Sequence, residues 1–175
     1  MPSSLDKYQK KDLVTHIYDT PDTYVGGSDL IEEVLPILQE NESIQTETFE
    51  YIPALYNIFN EILVNARDQV VRLQQTKSKN PVTCIKITID KETGLISIYN
   101  DGEGIDVAEH PTEKDKKGKP IMIPEMIFGH LLTSTNYEKD EKKIVGGKNG
   151  YGAKLTNIFS SYFKLETLDS NRKLR

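Results

Sequence analysis

The sequence is poor in features that would assign it quickly. It has one cysteine, Cys84, which excludes an internal disulfide framework and any zinc site built on paired cysteines. Cys84 reads instead as a small residue in a strand. No apolar run approaches the ~18 residues that a membrane span needs. The polar start MPSSLDKYQKKD lacks the apolar core of a secretory signal. An intracellular protein is expected, and the sequon Asn41-Glu42-Ser43 then carries no meaning. Basic excess is also missing: 22 Lys and Arg stand against 27 Asp and Glu, a net charge of -5. Bulk charge of that sign does not hold DNA, so any nucleic-acid contact needs a local patch or a further part of the protein. Internal repeats are absent. So are G-x-x-x-x-G-K-S/T and G-x-G-x-x-G, the two common phosphate-loop patterns.

What is present describes a globular domain. The 175 residues are 37% apolar and 28% charged, enough to bury a core. Residues 1–10 read as a polar arm and 11–175 as one domain. A short helix is expected over 11–18, ended before Pro21, with turns through TPDTYVGGS. Leu55, Ile58, Phe59, Ile62, Leu63 and Ala66 recur at three- and four-residue steps, and Pro53 suits a first turn. This spacing predicts a helix over 53–73. Residues 84–89 and 95–99 alternate apolar and polar around DKETG, which reads as a hairpin. Residues 109–120 read as a charged loop. Further helices are expected from Pro124 and over 153–160, and a third strand over 162–168.

Three features carry possible chemistry. Glu61 and Asn65 stand one helical turn apart, with Asp68 on the same side, inside the apolar text E-I-L-V-N-A. A carboxylate beside a core is costly unless balanced, so a general base next to a polar or metal ligand competes with a plain outward-facing helix side. N-D-G-E-G at 100–104 follows a strand, and its glycines let backbone approach a ligand; taken alone the pattern is weak, and a simple turn accounts for it. G-G-K-N-G-Y-G-A-K at 146–154 precedes a helix, whose N-terminal N–H groups and dipole suit phosphate, unless it is merely a flexible loop.

The three in this order resemble the Bergerat, or GHKL, ATP-binding fold. The text YQKKDLVTHI, PDTYVGG, LYNIFNEILVNARD, ISIYNDGEGI, IPEMIFGHLLTSTNY and EKKIVGGKNGYGAKLTNIFS is similar to the ATPase region of eukaryotic-type type IIA DNA topoisomerases. The resemblance runs from Tyr8 to about Thr167. It implies an α+β fold, a mixed and largely antiparallel sheet with helices on one face. It further implies ATP and Mg²⁺ as ligands, dimerisation through this region, duplex DNA as the whole protein's partner, and a nuclear location in a cellular eukaryote.

The resemblance also implies roles. Glu61 would be the general base that activates water, and Asn65 the Mg²⁺ ligand. Asn100 would face adenine, where many relatives carry Asp, while Asp101 reads as structural. Ser134, Thr135 and Asn136 match an S-S-N stretch that donates to ribose or phosphate, with Thr at its second place. Gly147, Lys148, Asn149, Gly150, Tyr151, Gly152, Ala153 and Lys154 match the phosphate loop. Lys148 replaces an Arg there, keeping charge but losing its fork geometry. Lys154 would reach the terminal phosphates, and Tyr8 the other protomer's nucleotide.

Departures stand beside these matches. The loop at 111–120 and the linker at 74–83 are longer than usual. The family's further strands, its transducer with a Q-x-K lysine, and its DNA-cleaving domain lie outside these residues. The isolated chain is therefore expected to bind ATP weakly and not to pass one duplex through another. Two rivals remain: another GHKL member (a MutL-like repair protein, a heat-shock chaperone or a histidine kinase), and an interaction module that no longer hydrolyses ATP. Glu61 disfavours the kinase, which needs no water-activating base.

Overall fold

The structure is a computed structural model that describes residues 11–131 and 151–175. The chain divides into two compact units, Met1–Asn57 and Ile58–Arg175. The fold is α+β, and every described strand pairs antiparallel with a neighbour in sequence.

The first unit opens with α1, Leu13–Asp19, capped by Asp12, whose carboxylate accepts from the Val14 and Thr15 amides. That network, led by the Thr15 hydroxyl, holds the Asp12 carboxyl below its usual range. Ile17 is the fully buried residue of this helix. A second helix, α2 (Pro21–Tyr24), stands where turns were expected. Pro21 presets φ for its first turn, and four residues are too few to show a periodic apolar face. Gly26 adopts φ +91°, and the Asn57 amide donates to the Val25 carbonyl at 2.8 Å. The Ala54 amide donates to the Gly27 carbonyl at 2.9 Å, pinning the diglycine turn to the start of the next helix.

Between them lies a hairpin that the sequence did not announce. β1 (Ile31–Leu38) pairs with β2 (Ile44–Tyr51), from Ile31 opposite Tyr51 to Leu38 opposite Ile44. Asn41 closes its loop, accepting from the Ser43 amide and hydroxyl. Val34, Leu38 and Ile44, on one face, are exposed.

The long helix α3, Pro53–Gln75, starts in the first unit and belongs to the second from Ile58 onward. Ala66, Asp68 and Leu73 are its buried residues. β3 (Ile85–Asp90) and β4 (Leu95–Asn100) form the expected hairpin. Asp90 caps its turn, accepting from the Glu92 and Thr93 amides, and Gly94 supplies φ +69°.

Residues 109–120 are not a loop. β5 (Glu109–Lys114) pairs with β6 (Pro120–Met122), with a register irregularity between them. Charged residues hide the alternation that betrays a strand, and here the turn chemistry of Asp115 to Gly118 makes the pairing. α4 (Ile123–Gly129) and α5 (Gly152–Phe159) follow. The strand expected over 162–168 is absent. That segment hydrogen-bonds through a side chain instead, with one isolated bridge beyond it, Asp169 to Leu174. Tyr162, Leu165 and Leu168, which gave the alternation, are exposed, and the stretch pairs with none of the described strands. No helix among the described residues is long and apolar enough to cross a membrane.

Candidate functional site

Within the second unit α3 is the spine. It carries Glu61 half-buried, Asn65 exposed and Asp68 buried. The Glu61 carboxylate packs directly on the first residue of α5. A Cβ at Gly152 would overlap Oε2 and lie 2.8 Å from Cδ of Glu61, so a side chain there would displace the carboxylate. Burial pushes the Glu61 carboxyl above its usual pKa, and the like charge of Asp68 two turns on adds to the rise. The buried Asp68 pairs with Arg67 at 3.6 Å.

Helix α5 is locked in place one turn further on. The Thr156 hydroxyl donates to the Ile58 carbonyl at 2.7 Å, and the Asn157 amide donates to the Phe128 carbonyl at 3.0 Å. Gly152 against Glu61 and Thr156 against Ile58 are two successive contacts that fix the register of α5 on α3. Tyr151, at the N-cap, makes no side-chain cap, so the first amides of α5 are not used by that side chain. Ala153, Lys154 and Leu155 are buried. Burial alone lowers the Lys154 ammonium to about 8, which leaves it cationic at neutral pH.

The N-D-G-E-G turn is held from three sides. Asp101 accepts from the Thr83 amide at 2.7 Å, the Cys84 amide at 2.9 Å and the Thr83 hydroxyl, which together hold its carboxyl low. That is a structural role. Gln69 of α3 donates to the Glu103 carbonyl at 2.9 Å. Gly102 takes φ +91°, and a side chain there would meet Val82 at 2.9 Å. On the third side the Ile105 amide donates to the Thr167 hydroxyl and the Val107 amide to Asp169, both at 2.9 Å. Asn100, at the end of β4, donates to the Asp101 carbonyl at 2.9 Å. Its amide oxygen accepts no hydrogen bond among the described residues and has the chemistry to receive an amino group.

The structure thus joins Glu61 to Gly152 and ties the turn after Asn100 to the same helix through Gln69. Among the described residues it gives Asn65 and Asn100 no hydrogen bond to Glu61 or α5. Tyr8, Ser134, Thr135, Asn136, Gly147, Lys148, Asn149 and Gly150 lie outside the described residues. Sequence reasoning passed over Gln69, Thr156, Asn157, Thr167 and Asp169. Each of the five makes a side-chain hydrogen bond to backbone far away in sequence, which leaves no periodic trace. Among the described residues no group of three or more His, Cys, Asp and Glu gathers as a metal cage. Mg²⁺ does not require one: it keeps waters, takes phosphate oxygens and needs one or two protein oxygens, so the exposed amide of Asn65 fits it.

These features are those of a nucleotide-binding ATPase domain: a half-buried carboxylate on a long helix, a glycine turn after a strand, and a helix N-terminus packed on that carboxylate. Residues 50–169 match the model of the histidine kinase-, DNA gyrase B- and HSP90-like ATPases, and the chain belongs to that family. Within it, the chain is 49% identical to DNA topoisomerase 2 of Plasmodium falciparum over 96% of its length, and 47% identical to human DNA topoisomerase 2-alpha over 95%. It superimposes on the crystal structure of the ATPase region of Saccharomyces cerevisiae topoisomerase II with a TM-score of 0.81 and 44% identity over 97% of the chain. It spans 12% and 10% of the two full-length relatives and 42% of the yeast chain.

Proposed function

We propose that this chain is the ATP-binding and ATP-hydrolysing segment of a type II DNA topoisomerase, whose ATP-driven dimerisation closes a gate on a DNA duplex. The carrying observation is the Glu61 carboxylate, half-buried, with a raised pKa, against the first residue of α5. A general base must lie within hydrogen-bond reach of its water and have a pKa drawn toward the working pH, and this seat favours both. In this reading Glu61 takes the proton of the attacking water. The N-terminus of α5 and Lys154, with Gly147, Lys148, Asn149, Gly150, Tyr151, Gly152 and Ala153, hold the phosphates by N–H groups and charge.

Asn100 accepts from the adenine amino group. Ser134, Thr135 and Asn136 bind ribose or phosphate, and Tyr8 reaches the nucleotide of a second protomer. Asn65 would hold Mg²⁺, which neutralises charge developing on the phosphates. Duplex DNA, the homodimer and, in a cellular eukaryote, a nuclear location follow from the same reading.

Calorimetry and single-turnover hydrolysis with protein in excess test it. Mg²⁺-ATP should bind the parent weakly. Glu61→Gln keeps size and hydrogen bonding but accepts no proton, so it should bind ATP like the parent and hydrolyse it roughly 10²–10⁴-fold more slowly. Asn65→Ala should lose the Mg²⁺-dependent part of binding. Unchanged turnover in Glu61→Gln removes Glu61 as the base; similar losses in both variants would mean only a disturbed helix.

A further inference from the structure

The hairpin tip at 114–119, K-D-K-K-G-K, has no part in the nucleotide site. Lys114, Lys116, Lys117 and Lys119 are all exposed. None of them forms an ion pair among the described residues. The tip is nevertheless shaped. Asp115 accepts from the Lys117 and Lys119 amides, each at 2.8 Å, and its own amide donates to the Lys119 carbonyl at 2.8 Å. Gly118 closes the turn at φ +78°. The only acid of the tip therefore spends its carboxylate on backbone amides of the turn, and four ammonium groups fan out from a fixed ribbon. Glu113, at the shoulder, is the nearest other acid in sequence.

We propose that this tip is a contact for the phosphate backbone of duplex nucleic acid. Its chemistry selects among polyanions. No aromatic side chain lies between Lys114 and Lys119, so there is no platform on which single-stranded bases would stack. No Leu, Ile, Phe or Trp is there to enter a lipid surface. Lysines without Arg, Asn or Gln read charge and not bases, so the contact is independent of sequence. A two-stranded ribbon is narrow enough for the major groove, about 12 Å wide, or for tracking its phosphate edge. The choice of duplex over other rigid polyanions rests on the topoisomerase reading above.

The test is fluorescence anisotropy with a labelled 20-base-pair duplex of arbitrary sequence, across a salt series. It compares the parent with Lys116→Gln/Lys117→Gln/Lys119→Gln and with the matching triple Arg variant. The Asp115–amide bonds are untouched by either. Three lost phosphate contacts should flatten the slope of log K against log salt by about 2.7, so that between 50 and 200 mM the parent loses about 40-fold more affinity than the Gln variant. The Arg variant should keep the parent's slope. The proposal falls if the parent binds no duplex, if the Gln variant matches the parent, or if single-stranded oligonucleotide or phosphatidylserine vesicles bind the parent more tightly. A thermal shift with Mg²⁺-ATP, run on all three proteins, should not distinguish them. Its absence from all three would count against the nucleotide reading and leave the duplex result standing.

Discussion

Glu61 and Asp68 occupy one helix two turns apart, and the Asp68 charge makes ionisation of Glu61 costlier. In the role proposed for Glu61, its working range is then set partly by a buried neighbour. A general base acts when deprotonated, so with Glu61 in the proposed role turnover should fall as pH drops through its pKa, which is raised by burial and by Asp68. Asp68→Asn removes the like charge while keeping the shape. The acidic limb of the rate profile should then move to lower pH, as read from single-turnover rates against pH. An unmoved limb would mean that burial alone sets the Glu61 pKa. The placement of Glu61 and Asn65 one turn apart on a single helix was legible from their four-residue spacing. The exposure of Asn65 beside the burial of Asp68 was not, because spacing places residues on one side of a helix without saying what covers that side.

At the scale of elements, α5 owes its place to a missing side chain and one hydroxyl. Gly152→Ala puts a carbon where the Glu61 carboxylate lies, so the helix or the base must shift; a misplacement near 1 Å costs on the order of 10²-fold in rate. Thr156→Val removes the bond to the Ile58 carbonyl and a longer one, 3.4 Å, to the Gly152 carbonyl within α5. The Ile58 oxygen stands in a helix and keeps its ladder partner, so the loss should be about 1 kcal/mol of stability with little effect on rate. Thermal melts and single-turnover rates on both variants separate the two, and Glu61→Ala should relieve most of the instability of Gly152→Ala. A comparable rate loss in both variants would refute this division. Elements with regular apolar spacing, such as α3, α5 and the β3–β4 hairpin, were readable from periodicity. The β1–β2 hairpin escaped because Pro36 interrupts one strand and Thr and Glu fill the other, so neither shows a clean apolar face. The β5–β6 hairpin escaped because charge outweighs propensity along it, and the run at 162–168 alternates without pairing to any described strand.

Across the whole chain, charge is divided as the contacts are. Met1–Asn57 carries three lysines against eleven acids, and Ile58–Arg175 carries 19 basic residues against 16 acidic ones. The net of -5 therefore conceals a strongly acidic unit and a mildly basic one, and the lysine tip belongs to the latter. Acid sensitivity in the second unit centres on Asp169. It is buried and accepts from the Asn171 and Arg172 amides, the Val107 amide and the Arg172 guanidinium. The Arg172 amide is the largest of the influences that bring its pKa to about 2 from an ordinary 3.8. A carboxyl depressed in the folded state adds stability above its unfolded pKa, and that stability drains as pH falls from near 4 to near 2. Asp169→Asn should thus melt lower than the parent at pH 7 and converge with it near pH 2; a gap that persists at pH 2 would refute this. The same clamp has a kinetic side. Every described strand pairing closes over a short hairpin, whereas Ile105 to Thr167 and Val107 to Asp169 each join residues 62 apart. Local pairs form early and distant ones wait on loop closure, so the glycine turn that would receive adenine is among the last parts of the unit to be fastened as the chain folds.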